Sequence, residues 1–208
     1  MKTSIYDRLA ADYDEWFSKN RFAYESELAA VRRMLPAGGT GVEIGVGTGR
    51  FASELGVPLG LEPSGPMRSM ARERGVKVIG GKAEELPFAD GSLDYALMVT
   101  VICFFDDVPK AFREIFRVLK ASGTLVVAFI DRASPLGKTY DERKKETAYY
   151  AEAVFRTAEE VRGYLEDAGF RSFSFCQTIF KNPGDMKEPD PVRDGHGEGC
   201  FAVIRADK

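Results

Sequence analysis

One histidine, one tryptophan, one glutamine and two asparagines are all that the 208 residues supply of those types. Glu, Lys and Arg are plentiful beside that shortage of thermolabile amides, a balance that points to a thermophilic source. Cysteine is also scarce. Cys103, Cys176 and Cys200 are odd in number, widely spaced and form no CxxC. That excludes a disulfide framework and predicts reduced, buried thiols of a cytoplasmic protein. No apolar run approaches membrane length, the longest being Ala96–Phe105, and Met1–Asn20 carries charges throughout, so neither a span nor a secretory signal is expected. There is no basic excess either. A formal net charge of −3 gives no field to gather nucleic acid or anionic lipid, and neither is an expected partner.

What is present is an ordinary globular balance, 44% hydrophobic and 29% charged, on a chain long enough for one well-buried core. Ile5, Leu9, Tyr13, Trp16 and Phe17 recur at helical spacing, and Tyr24, Leu28, Val31 and Leu35 give a second helix stopped by Pro36 and Gly38-Gly39. From residue 40 the rhythm is strand and helix in alternation. Strands are expected at Val42–Ile44, Val57–Leu61, Val76–Ile79, Leu93–Val99 and Thr124–Ile130. Helices are expected at Arg50–Leu55, at Ser64–Arg74 with Ser64 as cap, and at Asp106–Lys120 ended by Gly123. Continuous apolar strands indicate parallel pairing covered on both faces, a doubly wound α/β arrangement. Residues 134–155 read as loop plus helix, with Tyr140, Tyr149, Tyr150 and Phe155 as packing residues. Thr157-x-x-Glu160 reads as a capping box opening a helix stopped by Gly169. Ser172–Phe180 and Cys200–Arg205 read as strands, joined by a Pro-, Gly- and charge-rich connection, 181–198.

The chemistry concentrates at TGVEIGVGTGRF, residues 40–51. A strand, a glycine turn and a helix start offer backbone N–H groups to a small ligand. Glu62, after the second strand, is placed to accept from both hydroxyls of a ribose. Two cofactors compete. A nicotinamide site wants GxGxxG, but Gly45-x-Gly47-x-Gly49 is GxGxG and Arg50 stands where the third glycine belongs. Glu43, two residues before the first glycine, suits a ligand carrying positive charge.

VEIGVGTGRF, LGLEPSGPMRSMARERG, GKAEELPFADGSLDYALMV and FREIFRVLKASGTLVVAFID, in that order, resemble the motif series of class I S-adenosylmethionine-dependent methyltransferases, most closely the ubiquinone/menaquinone-methyltransferase-like small-molecule branch. The opening YDRLAADYDEWF resembles that branch's lid helix. The resemblance implies a Rossmann-like, doubly wound, mostly parallel seven-stranded sheet with a C-terminal antiparallel strand and an N-terminal helical lid. Residues 1–208 would form one domain, with 1–36 as the lid and 132–156 and 181–198 as substrate-facing insertions.

It further implies S-adenosyl-L-methionine as cofactor, with Gly45, Val46, Gly47 and Gly49 cradling its methionine part and Glu43 either near the amino group or holding the turn. Glu62 would take the ribose, Pro63 and Met67 would flank the adenine, and Ala83 and Glu84 would meet its edge. Thr100 and Val101 would lie near the sulfonium under a covering Tyr13. Lys82 departs from the pattern: many relatives have Asp there to accept from adenine, and Lys cannot accept.

Methyl transfer from a sulfonium is an in-line displacement that positioning alone can promote, so no catalytic dyad is required. Asp131 and His196 are the acid/base candidates, both expected at the carboxyl edge of the sheet. No (D/N)PPY follows Leu93–Val99 and no Pro-Cys pair occurs, which disfavours nucleic-acid base methylation and leaves a small-molecule acceptor. A non-catalytic cofactor-binding module acting through a protein partner is the alternative reading.

Overall fold

A computed structural model describes residues 4–208; the first three residues of the expected lid segment lie outside the described residues. The strands are β1 (Gly41–Ile44), β2 (Leu59–Leu61), β3 (Lys77–Ile79), β4 (Leu93–Val99), β5 (Leu119–Ile130), β6 (Arg171–Thr178), β7 (Arg193–Asp194) and β8 (Phe201–Asp207). The helices are α1 (Ser4–Arg8), α2 (Ala10–Lys19), α3 (Arg21–Met34), α4 (Arg50–Leu55), α5 (Gly65–Glu73), α6 (Val108–Val118), α7 (Pro135–Arg143) and α8 (Ala158–Ala168).

The strands form one sheet in the order β3-β2-β1-β4-β5-β8-β6-β7. The first five of these are parallel, β8 is antiparallel to both of its neighbours, and β6 therefore runs with the parallel set. Side chains alternate between two apolar layers. Ala96, Met98, Leu125 and Val127 pack on one face with Phe112 and Ile115 of α6 and Leu165 of α8. Leu97, Val99, Val126 and Ala128 pack on the other with Val31 of α3, Phe51 of α4 and Ala71 of α5. Burial on both faces explains the unbroken apolar runs.

The expected Rossmann-like fold is present, with local differences that have physical causes. The sheet has eight strands rather than seven, because part of the 181–198 connection is folded back against β6. The Gln177 side-chain oxygen accepts the N–H groups of Glu198 (2.9 Å) and Gly199 (2.8 Å), and its amide donates to the Asp194 carbonyl (3.2 Å). Buried Asp190 holds the Phe180 N–H at 2.7 Å, while its own N–H donates to Ser26 Oγ at 2.8 Å. The first expected helix is two, broken at Leu9. Helix α6 stops at Val118 rather than Lys120, because Leu119 is already extended (φ −73°, ψ 141°) and begins β5. The strand register slips from Leu93↔Leu119 to Tyr95↔Thr124, which places Gly123 in a bulge instead of at a helix end. In 134–155 the helix comes first, capped by Ser134 Oγ accepting from Gly137 N–H at 3.0 Å, and the aromatic part is mostly turn.

The capping box has both halves: Thr157 Oγ1 accepts from Glu160 N–H (3.1 Å) and the Glu160 carboxylate accepts from Thr157 N–H (2.7 Å). Thr157→Ala should lower stability by about 1 kcal/mol, read as a reduced urea midpoint at unchanged slope.

Candidate functional site

Strand order reverses between β1 and β4, and the loops leaving their carboxyl ends diverge there to open a crevice. The loop after β1 is the glycine turn. Gly45 and Val46 donate to the Leu61 carbonyl at 2.7 and 3.1 Å, tying the turn to β2. Gly47 has φ +55°, and a Cβ there would stand in van der Waals contact with Met67 Sδ at 3.7 Å and the Tyr13 ring at 3.8 Å. Gly49, at φ +83°, lies so close to α5 that a Cβ would come within 2.9 Å of Ala71 Cα. One glycine thus supplies a left-handed turn against the cavity wall and another lets two elements touch.

Glu62 closes the turn from beneath. One carboxylate oxygen accepts from Gly47 N–H at 3.0 Å, the other from Ser64 N–H at 2.8 Å. Burial raises its pKa, and the two N–H groups and Arg68 work against that rise. Each oxygen keeps a second lone pair for a ligand hydroxyl.

A cavity opens above the turn. Its floor includes Gly45, Gly47, Glu62, Met67, Thr100 and Val101. Its roof is aromatic: Tyr6, Tyr13, Trp16 and Phe17 from α1 and α2, joined by Tyr149 and Tyr150. Tyr13 sits at the centre of that roof, 5.9 Å from Tyr6, 5.4 Å from Phe17 and 6.1 Å from Tyr149 between ring centres. The far end lies over β5 and β8, walled by Ile130, Tyr140, Ile179, Cys200 and Phe201, with Glu27 of α3. Thr100 and Ile179, both β-branched and both on the wall, hold positive φ of 50° and 63°. Such strain in β-branched residues is kept where a site requires it.

Comparison with known proteins decides what the crevice serves. Residues 42–127 match the model of a family described as a methyltransferase domain. A Thermotoga maritima protein, its crystal structure described as a SAM-dependent methyltransferase and possible histamine N-methyltransferase, is 48% identical with a TM-score of 0.97, each chain covered in full. An uncharacterized protein of Methanocaldococcus jannaschii is 42% identical over 99% of both chains. The ubiquinone/menaquinone biosynthesis C-methyltransferase UbiE of Klebsiella pneumoniae is 29% identical over 84% of each. The chain belongs to the class I S-adenosylmethionine-dependent methyltransferases. S-adenosyl-L-methionine is its cofactor.

Of the residues that the methyltransferase resemblance singled out, Tyr13, Gly45, Gly47, Glu62, Met67, Thr100 and Val101 converge on the cavity. Val46 turns its side chain toward Gly60 of β2, and Gly49 serves the contact with α5. Glu43 is buried beneath the turn with Oε2 unpartnered; burial pushes its pKa well up, the Ala52 N–H opposing and the Glu62 charge adding to the rise. Ala83 belongs to the core, and Glu84 lines an adjoining recess with Lys82, Glu85 and Lys110. One Glu84 oxygen accepts from Asp106 N–H at 3.1 Å, and Oε2 is buried without a partner. Glu62, whose oxygens keep free lone pairs toward the cavity, and the unpartnered Glu84 Oε2 in its recess fit a ligand that brings donors to both places.

Neither acid/base candidate reaches the methyltransferase cavity. Asp131 is fully buried, and its Oδ1 accepts from Ala133 N–H (2.9 Å) and Ala158 N–H (3.3 Å), joining β5 to the loops before α7 and α8. His196 lies beside β6, 3.3 Å from Glu159 and with its ring tilted by 52° against that of Phe175. The wall also holds residues that sequence reasoning set aside. Tyr140, Tyr149 and Tyr150 line the space instead of only packing helices, and Glu27 was passed over altogether. Its signal was there: an acid at the 24, 27, 28, 31 spacing of an otherwise apolar stripe.

Arg50, the residue that spoiled the nicotinamide pattern, has a structural task. Asp14 of α2 accepts from Arg50 Nε (2.9 Å) and Nη2 (2.6 Å), from Arg74 Nη2 (2.7 Å) and from Thr48 Oγ1 (2.7 Å). This latch fixes the aromatic roof to the glycine turn. Burial acts to raise the Asp14 carboxyl, but hydrogen bonds from Arg50 and Thr48 and the two guanidinium charges outweigh it, so the net shift is downward. Asp14→Asn should therefore lower stability by about 2 kcal/mol, toward the lower end for a broken pair because the guanidinium groups are partly exposed. Stability lent by a carboxylate with a lowered pKa is present above its unfolded value, about 3.9, and lost as pH falls through the folded one. The gap between wild type and variant in urea midpoint should accordingly narrow as pH is lowered below about 4.

Proposed function

We propose that the enzyme methylates a small molecule held wholly inside the cavity, with the cofactor over the glycine turn and the acceptor over β5 and β8. The observation that carries this reading is the continuity of the space. One cavity joins the turn and Glu62 to an aromatic chamber lined from α1, α2 and α3. Residues 132–156 and 181–198 contribute Tyr140, Tyr149, Tyr150 and Pro183 to the chamber, which supports their role as substrate-facing segments and that of residues 1–36 as lid.

In this arrangement Glu62 accepts from the ribose hydroxyls, and Pro63 and Met67 flank the adenine. The free Glu84 oxygen takes the place of the acid that Lys82 replaces, beside Ala83. Glu43 lies below Gly45, Val46, Gly47 and Gly49 toward the cofactor's amino group, and Thr100 and Val101 border the reacting centre. When bound, S-adenosylmethionine supplies a methyl group whose C–S electron pair leaves onto sulfur as the acceptor's lone pair takes the carbon. The chain's share is to exclude water through the Tyr6, Tyr13 and Tyr149 roof and to hold the acceptor in line, effects of proximity and orientation.

Calorimetry should show S-adenosylmethionine and S-adenosylhomocysteine binding with dissociation constants on the order of micromolar. Glu62→Ala should weaken both by about 1–3 kcal/mol, the loss of charged hydrogen bonds. Unchanged affinity would reject the ribose role, and binding without transfer to any small acceptor would favour the non-catalytic, partner-dependent reading.

A further inference from the structure

Two carboxylates line the cavity, Glu62 and Glu27, and they differ in kind. Glu62 has a backbone N–H on each oxygen. The Glu27 carboxylate has neither a hydrogen bond nor an ion pair among the described residues. It projects from α3 into the chamber's far end, where the titratable groups that feel its charge are Tyr13 of α2, Tyr140 of α7 and Cys200 just ahead of β8. None of these is a cation. Burial alone pushes the Glu27 carboxyl up to about 8.

An isolated carboxylate in an apolar chamber is costly unless a partner arrives with the ligand. A carboxylate-bearing acceptor would set two like charges together, and an alcohol would bring no charge to offset that of Glu27. An ammonium group supplies what is missing. Aromatic rings of Trp16, Tyr140 and Tyr150 also line the chamber, and such rings attract a cation placed over their faces.

We propose that the methyl acceptor is a small protonatable amine, its nitrogen received by Glu27, which takes the ammonium proton. The N–H bond breaks, its electron pair remains on nitrogen as the lone pair that methylation needs, and the proton forms an O–H bond on the carboxylate. In the ligand-free protein a carboxyl near 8 is mostly protonated at neutral pH; an arriving ammonium favours its carboxylate form, which can then exchange the proton with nitrogen. The inference rests on the methyl-transfer reading of the cavity.

The test is calorimetry in saturating S-adenosylhomocysteine with three amines, benzylamine, 2-phenylethylamine and tryptamine, each against its alcohol: benzyl alcohol, 2-phenylethanol and tryptophol. At least one amine should bind about tenfold or more tightly than its alcohol. In Glu27→Gln that preference should shrink to about threefold or less, with S-adenosylhomocysteine affinity kept within about twofold. Failure of the wild type to bind S-adenosylhomocysteine would overturn the methyl-transfer reading. Normal binding with no amine preference in any pair, a preference that survives Glu27→Gln, or a variant that loses the cofactor product alone, overturns the amine inference by itself. The wild-type comparison stands without any variant.

A second readout concerns the protein without ligands. A carboxyl whose folded pKa lies above its unfolded value of about 4.3 makes the native state bind more protons in that window, so stability falls as pH rises. The wild-type urea midpoint should therefore fall relative to Glu27→Gln between about pH 5 and 8. A difference that does not change with pH counts against an uncompensated carboxylate.

Discussion

A single carboxylate decides whether this fold has an enclosed site or an open one. The sheet and its βα units hold the glycine turn and Glu62 by their own packing, but the roof comes from helices that precede the first strand. What fastens that roof over the turn is Asp14, which takes four hydrogen bonds from Thr48, Arg50 and Arg74. The donors come from the turn itself and from the end of α5, so the latch closes only when β1, α4 and α5 are already in place. Roof and floor are coupled through one charge cluster, and Tyr13, one residue away, is positioned over Gly47 as a result.

The chamber's electrostatics follow from where its acids stand. At the cofactor end, Glu62 is engaged by backbone N–H groups and Glu43 is withdrawn beneath the turn. At the other end Glu27 meets only phenol and thiol groups, and burial raises those too: Tyr13, Tyr140 and Cys200 are all shifted upward, toward the neutral form. The far end therefore holds one latent negative charge in an otherwise uncharged aromatic enclosure. Selectivity for charge sign is built into the walls.

Local chemistry in the sequence located most of the elements. Ser64, Asp107 and the Thr157–Glu160 pair cap the helices that follow them, since a cap is decided within four residues. The glycine turn was readable for the same reason. What escaped depends on partners far away in the chain. Arg50 and Asp14 are 36 positions apart, and nothing local shows that the arginine in the third-glycine position is there to be latched. Asp131 does follow the carboxyl end of β5, whereas His196 stands beside Phe175 in the middle of β6; for both, side-chain direction decides the matter. Asp131 turns toward the backbone that starts α7 and α8, and His196 rides on a loop that Gln177 holds back against β6, beside Phe175 and Glu159. Glu27 was visible as a charge on an apolar stripe, a pattern easily taken for the rim of a helix until the opposite wall is known.

The same folded-back loop has a consequence for how the molecule lives among copies of itself. At one margin of the sheet the outermost strand, β7, is only Arg193–Asp194; at the other, β3 is Lys77–Ile79. Each margin thus offers only a few residues of backbone for pairing, and charged side chains stand on both. Short, charged borders give a neighbouring chain little template for adding a strand. The eight-stranded sheet is in this way closed to growth by strand addition in either direction, its border strands too brief to be extended.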